Sequence, residues 1–302
     1  MYKKVAVTIA GSDPSGGAGI QADLKSFSFL GVHGATIVTC VTAQNTQQVK
    51  SIHKVPAEIV RDQIDVVFDD FNVQTVKTGM LFDEKIIKGV AEKLNAFDIK
   101  LVVDPVMVAT SGDALSESTF VHALKTHLLP QTDILTANVP EAEQLSGMSI
   151  YSVEEGKKAC RALFDLGPNY VLIKGGHLKG KDAIDLFFDG KQHTFFPLPR
   201  IPGKKAHGSG CSLSAMITGY LLLGEQPIDA VRKAKTAVWS MIAEGYQVGK
   251  GADVLNHSCR FVYPSHILKG ENFEVWHSLK KAVESLVSFL PVSYTHLTLP
   301  TN

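Results

Sequence analysis

The chain has 302 residues, 45% of them hydrophobic, which is enough for one large core or two modest ones. Thirty Lys and Arg residues balance thirty Asp and Glu, so no basic surplus points to nucleic acid and no polybasic run to an anionic membrane. The four cysteines, Cys40, Cys160, Cys211 and Cys259, lack CxxC spacing, which excludes a zinc site or disulfide framework and suits a reducing cytosol. The apolar run Val5–Ala10 is too short for a signal-peptide core, and Ser214–Leu223, broken by Gly219, is too short to span a bilayer. A cytoplasmic protein without membrane contact is the expectation.

In chain order, Val5–Ala10 reads as a strand ending in the loop Gly11-Ser12-Asp13-Pro14-Ser15-Gly16-Gly17-Ala18-Gly19. A helix follows, with Ile20, Leu24, Phe27 and Leu30 on one face. Ala35–Val41 is the next strand, Pro56 opens a helix through Val67, and Val73–Thr78 is again a strand. Ile86, Val90, Leu94 and Phe97 make an amphipathic helix, and Lys100–Val103 a buried strand stopping at Asp104-Pro105. Asp133–Thr136 is a short strand closed by Asn138-Val139-Pro140-Glu141. A helix through Val153, Ala159 and Leu163 leads to the strand Tyr170–Lys174, closed by Gly175-Gly176. Ala183–Phe188 and Gln192–Phe196 form a hairpin about Asp189-Gly190, and the helices Gly210–Leu223 and Pro227–Tyr246 follow.

Apolar strands alternating with helices imply a parallel sheet covered on both faces, with ligands outside the carboxyl ends of the strands. Polar or glycine punctuation stands at those ends, after Ala10, Val41, Thr78, Val103, Thr136 and Lys174.

Four segments there carry chemistry. His207-Gly208-Ser209-Gly210-Cys211 precedes an apolar helix, whose unpaired N–H groups and partial positive charge suit a phosphoryl group. Cys211 at a helix N-terminus is where a thiolate is favoured, and a thiolate accepts a hydroxyl proton; a buried structural cysteine is the plain alternative. The Gly-Lys-Ser/Thr ending of a Walker loop is absent, and Ile217 stands where a thiol phosphatase has arginine. Gly11–Gly19 is weaker alone, with Asp13 and Asp23 as candidates for a polar substrate; a solvated helix face accounts equally for Asp23. Asp104 and Glu141, both just past strands, suit Mg²⁺ with nucleotide phosphates; a turn and a helix first-turn acid are the plain alternatives. Lys174, beside glycines at a strand end, is placed to neutralise phosphate, or else snorkels to solvent.

Together these segments resemble the hydroxymethylpyrimidine/phosphomethylpyrimidine kinases of thiamine biosynthesis, in the ribokinase-like superfamily. The matching stretches are TIAGSDPSGGAGIQADLKSF from Thr8, Gln44-Asn45-Thr46, KTGML from Lys77, VVDPVM from Val102, TANVPEA from Thr136, IKGGH from Ile173, HGSGCSLSA from His207 and VGKG from Val248. The resemblance implies a three-layer α/β/α sandwich with a mostly parallel sheet of eight or more strands. It also implies ATP-dependent phosphorylation of the hydroxymethylpyrimidine and its monophosphate, with Mg²⁺. By the same resemblance, Gly11, Asp23 and Gln44 contact the pyrimidine, and Met80 and Val106 wall its pocket. Cys211 is the general base, Gly208, Ser209 and Gly210 the anion hole, Asp104 and Glu141 the Mg²⁺ region, and Lys174 a nucleotide-phosphate contact. A homodimer is implied too. The family pattern Thr-His-Gly-Thr-Gly-Cys-Thr is here Ala206-His207-Gly208-Ser209-Gly210-Cys211-Ser212, so Ala206 lacks one hydroxyl.

The kinase domain is expected over residues 1–256. Residues 257–290 read as a helical extension, amphipathic over Phe273–Leu290 and weakly similar to the opening of a thiamine-phosphate synthase domain. Residues 291–302 read as a non-native tail. Three rivals remain: a pyridoxal kinase of the same superfamily, which Gln44 argues against; a non-catalytic pyrimidine sensor; and a cysteine hydrolase, for which His207 lacks an identifiable orienting partner.

Overall fold

The structure, a computed structural model, describes residues 3–107, 119–177, 180–204 and 206–259. The expected C-terminal extension and tail therefore lie, apart from residues 257–259, outside the described residues. So do residues 108–118, which follow the Val102–Met107 segment.

Among the described residues, β1 (Val5–Ser12), α1 (Gly19–Phe29), β2 (His33–Gln44), β3 (Val49–Lys54), α2 (Ala57–Asp70), β4 (Val73–Thr78) and α3 (Glu84–Leu94) come first. Then follow β5 (Lys100–Val103), α4 (Phe120–Ala123), β6 (Ile134–Asn138), α5 (Val139–Ser146), α6 (Val153–Phe164), β7 (Tyr170–Lys174), β8 (Asp182–Phe188) and β9 (His193–Pro199). The short β10 (Ala206–His207), α7 (Ser209–Leu222), α8 (Pro227–Ala243) and β11 (Asp253–Val254) close the domain.

Nine strands form one sheet in the order β3-β2-β1-β4-β5-β6-β7-β8-β9. The six from β2 to β7 in that order run parallel, while β3, β8 and β9 join antiparallel. Period-two alternation sends neighbouring side chains to opposite faces. Val171 and Ile173 belong to the apolar layer that also holds Ile64, Ile87, Val90 and Leu163 from α2, α3 and α6, whereas Leu172 belongs to the opposite layer with Leu213, Met216, Ala234 and Val238 from α7 and α8. Phe27 of α1 meets Ala215 on the latter side. Both faces are covered, so the expected three-layer sandwich is present.

Three strands run further than their apolar runs suggest. β1 reaches Ser12, β2 reaches Gln44 and β6 reaches Asn138. For β2 the reason is β3, which the sequence pattern conceals. Its residues Val49–Lys54 are largely exposed at the sheet edge, so they carry no apolar alternation. The Asn45 side chain accepts from the Gln47 and Gln48 amides and closes the turn that pairs β2 with β3.

The strand order reverses beside β1: β2 lies on one side and β4 on the other. A crevice opens outside the carboxyl ends at such a switch point. Registers Ile9↔Thr78, Thr78↔Val103 and Asn138↔Lys174 bring those ends to one edge.

Candidate active site

Two glycine loops interlock at that edge. Gly208 has φ +81° and caps α7, and a Cβ built there would lie 1.8 Å from the Gly17 carbonyl oxygen. A Cβ on Gly17 would in turn meet His207 Cδ2 at 2.4 Å. Only glycine allows this approach of backbone to backbone. Asp13 pins the contact: its carboxylate accepts from the Ser15 and Ala18 amides and the Ser15 hydroxyl, and lies 2.9 Å from His207 Nε2. Burial opposes ionisation of Asp13, but the bonds from His207 and Ser15 outweigh it and hold its pKa below the usual value. The Gly11–Gly19 loop, weak as an isolated motif, is thus half of the support of the loop that opens α7. There Asp13, named as a candidate for a polar substrate, is engaged by Ser15, Ala18 and His207.

The first turn of α7 carries no acidic residue, so the amides at Ser209, Gly210 and Cys211 face no competing negative charge from their own helix. Gln44 reaches the same place. Its Nε2 lies 3.2 Å from His207 Nε2, and Thr42 Oγ1 donates to its Oε1 at 3.3 Å. A single ring nitrogen cannot both donate to Asp13 and accept from Gln44. The shorter carboxylate contact takes the proton, leaving the Gln44 amide weakly held and able to turn toward a ligand edge. Met80 and Val106 pack with Cys40, Val49, Ile52 and Phe82 in one small apolar cluster, and a Cβ on Gly11 would strike Cys40 Sγ at 2.6 Å. Gly11, expected to contact the pyrimidine, and Met80 and Val106, expected to wall its pocket, are brought together around Cys40, and Gln44 stands beside them through its register partner Val49. Phe82 joins them with φ +72°, the one positive φ at a non-glycine among the described residues.

Cys211 departs from its expectation. Burial pushes its thiol up to about 11; Lys77 and the Gly19 amide favour the thiolate, but Asp23 and Asp104 oppose it. Desolvation beats the helix terminus, so Cys211 rests as a neutral thiol at pH 7.

Asp104, Glu141 and Lys174 form one cluster. Lys174 Nζ lies 2.7 Å from Asp104 Oδ1 and 3.7 Å from Glu141 Oε2, and Ser214 of α7 donates to Asp104 Oδ2 at 3.2 Å. A Cβ on Gly210 would lie 3.3 Å from Lys174 Nζ, which puts the ammonium against the first turn of α7. Burial alone would lower Lys174, but Asp104 and Glu141 raise it well above the usual lysine range. Glu141 is also the capping-box residue of α5: its carboxylate accepts from the Asn138 amide while Asn138 Oδ1 accepts from Glu141 N–H. Burial raises Glu141 to about 7 despite Lys174, with Asp104 adding to the rise. Two carboxyls thus share one ammonium, and the second is left short of positive charge. That shortage fits a Mg²⁺ ion sharing its shell with nucleotide phosphates; no closed cage of three or more His, Cys, Asp or Glu occurs among the described residues.

Asp23 does not line the pocket as expected. It is 0% exposed, and its Oδ2 accepts from Lys77 Nζ at 2.7 Å and Thr8 Oγ1 at 2.6 Å. The cause is α1, whose start at Gly19 turns Asp23 inward onto β1 and β4. Asp23 is the counter-ion of a sealed lysine.

A model of the family described as phosphomethylpyrimidine kinase matches residues 13–256. The chain belongs to the phosphomethylpyrimidine kinase family. A hydroxymethylpyrimidine/phosphomethylpyrimidine kinase of Rhizobium meliloti (strain 1021) is 46% identical over 260 residues, covering 85% of this chain and 98% of that protein. Among solved structures, a pyridoxal kinase from Staphylococcus aureus in complex with AMP-PCP and pyridoxal is similar at TM-score 0.78 and 34% identity, covering 85% of this chain and 94% of that one. A phosphomethylpyrimidine kinase from Clostridium difficile 630 is similar at TM-score 0.70 and 39% identity, covering 78% and 98%.

Sequence reasoning missed three residues of this kinase: Lys77, Ser214 and Phe82. Lys77 did leave a signal. A lysine inside a central parallel strand is buried, and a buried ammonium must find a partner. Ser214, a hydroxyl within the apolar run of α7, signals equally that something polar lies opposite. Phe82 left none, because its positive φ follows from the turn into α3, where Asp83 accepts from the Ile86 amide as N-cap.

Proposed function

We propose that this kinase transfers the γ-phosphoryl group of ATP to the hydroxymethyl group of 4-amino-5-hydroxymethyl-2-methylpyrimidine, then to its monophosphate, in thiamine biosynthesis. One observation supports the reading: the Gln44 side chain lies 3.2 Å from the ring of His207, the residue immediately before the Gly208 cap of α7. A ring read at one end is thereby presented to an anion site at the other.

Gln44 both donates and accepts, as an aminopyrimidine edge requires, and Met80 and Val106 hold the ring faces. The hydroxymethyl oxygen attacks the γ-phosphorus, the bond to the ADP oxygen breaks, and the hydroxyl proton passes to the thiolate form of Cys211, the minor form at pH 7, which has first released its own proton to water. Most of the barrier reduction comes from positioning and charge neutralisation rather than from the base. The Ser209, Gly210 and Cys211 amides stabilise the migrating group, and Lys174 neutralises phosphate oxygens. Mg²⁺, held by Asp104 and Glu141, would shield nucleotide phosphate charge. Ala206 removes a side-chain hydroxyl but no backbone donor, so activity is retained. A cytoplasmic homodimer belongs to the same reading and is tested by sedimentation equilibrium; no helix among the described residues is long and apolar enough to cross a membrane.

A second reading, pyridoxal kinase, is favoured by the TM-score of 0.78 to the Staphylococcus aureus enzyme. Parallel coupled assays of ATP consumption with the pyrimidine alcohol, its monophosphate and pyridoxal separate the two. Turnover of pyridoxal alone would overturn the pyrimidine assignment, and binding without ATP consumption would make the chain a sensor.

A further inference from the structure

The Lys77–Asp23 pair is the most enclosed charge in the described protein, and nothing in the mechanism above uses it. Both side chains are 0% exposed. Lys77 Nζ lies 2.7 Å from Asp23 Oδ2, which also accepts from Thr8 Oγ1, while Asp23 Oδ1 has no hydrogen-bond partner. Such an arrangement is unfavourable as scaffolding. Sealing two charges costs more than a well-packed apolar pair, and a buried oxygen without a donor adds to the cost. A fold seeking only stability has better ways to fill this space.

Its position explains the retention. Lys77 is the penultimate residue of β4, at the switch point of the sheet, and α7 packs across β4. The ammonium curls under the chain leaving the strand: a Cβ on Gly79 would lie 2.8 Å from Nζ. Met80, one residue on, belongs to the apolar cluster with Val106. Burial alone would lower the pKa of Lys77, but Asp23, Cys211 and Asp104 outweigh it and keep it charged. Its charge is therefore felt by its counter-ion, by Asp104 and, once ionised, by Cys211.

We propose that Lys77 is a positioning residue for phosphoryl transfer: sealed in β4 where α7 packs across it and held in place by Asp23, it presents with that counter-ion a fixed dipole to Cys211 and the transferring group without touching either substrate. The dipole lies in the low-dielectric interior, where water cannot screen it and no reorganisation is needed during transfer. The Lys77–Asp23 pair has two functions that can be pulled apart, since packing survives replacement by uncharged side chains of similar size but a field does not. With Asp23→Asn, the side-chain amide carbonyl still accepts from the Thr8 hydroxyl. This inference rests on the phosphoryl-transfer reading.

The test compares wild type, Lys77→Met and the double variant Asp23→Asn/Lys77→Met. Three quantities are measured: Tm, ATP Kd by calorimetry, and kcat and KM with the pyrimidine alcohol. Lys77→Met leaves a buried carboxylate unpaired and should lose both Tm and kcat. The double variant should regain most of the lost Tm and keep ATP Kd and pyrimidine KM within about threefold of wild type, yet remain at least about tenfold low in kcat. A double variant recovering both Tm and kcat would make the pair scaffolding and overturn the inference. So would a double variant whose loss lies entirely in KM. Should the double variant not fold, Lys77→Arg decides: it keeps the charge, so kcat within about tenfold of wild type supports the inference, and kcat as low as Lys77→Met overturns it. A wild type inactive on every alcohol tested would instead sink the phosphoryl-transfer reading itself.

Discussion

The protein holds two lysine–aspartate pairs at the carboxyl edge of one sheet, with the same 2.7 Å contact and opposite surroundings. Lys77 and Asp23 are shut in; Lys174 is 13% exposed, has a second carboxyl in Glu141, and abuts Gly210 of the anion loop. A sealed pair cannot exchange partners, so it acts only through its field. An open one can release a carboxylate and take a phosphate. Contact geometry alone does not tell the two apart; burial and the spare carboxyl do. Both lysines meet electrostatically at Cys211, on which the two arrangements converge.

The largest expected effect is therefore at that meeting point. Cys211→Ala should cut turnover by ~10²–10⁴-fold while ATP binding measured by calorimetry persists; turnover near wild type would remove Cys211 from the base role. Because burial holds the thiol at about 11, the thiolate form is scarce below that pH and grows tenfold per pH unit on approach. The rate of single-site alkylation at Cys211, followed by mass spectrometry, should thus climb steadily from pH 7 to 10. A plateau reached by pH 8 would mean that Lys77 and the helix terminus dominate after all.

Next comes the loop that carries Cys211. Gly208→Ala adds a Cβ 1.8 Å from the Gly17 oxygen at φ +81°, so the two glycine loops must part. Strain of this kind costs about 1–3 kcal/mol from the backbone alone, and the collision adds to it. Thermal denaturation should show a Tm lowered by several degrees, and kcat should fall about a hundredfold.

Lys174→Met separates the open pair from the sealed one. It should weaken ATP binding by about tenfold to a hundredfold with a smaller loss of Tm than Lys77→Met, because water reaches the partly exposed Lys174 site but not the sealed Lys77 one. An unchanged ATP Kd would contradict the open-pair reading.

The smallest effect is in the spare carboxyl. With its pKa raised to about 7, Glu141 is mostly protonated at pH 6 and mostly anionic at pH 8, so Mg²⁺-dependent ATP affinity should rise a few-fold over that interval. Glu141→Gln should flatten the slope. A steep slope surviving in that variant would assign the titration to another group.

Much of this site was legible before any coordinates. Gly11, Gln44, Met80, Asp104, Lys174 and Cys211 are scattered over about two hundred positions, yet apolar strands alternating with helices predict that their strand ends share one edge. The hydroxyls of α7 and the lysine in β4 held a signal of buried polar groups that the sequence reading passed over, and that signal does not say what they are buried against. β3 stayed hidden because its exposed edge residues carry no periodicity. Asp23 was assigned to the pocket because a motif conveys proximity in the chain and not which way a side chain faces.

By itself the sequence determined the sheet, its two helical layers and the kinase family, because hydrophobic period and glycine placement act over a few residues at a time. Tertiary structure alone decided that Asp13 belongs to His207, 194 residues away, that Asp23 neutralises Lys77, and that Cys211 keeps its proton. Those outcomes depend on which charges share a space shielded from water, and the cost of a charge there is set by every group around it rather than by its neighbours in the chain.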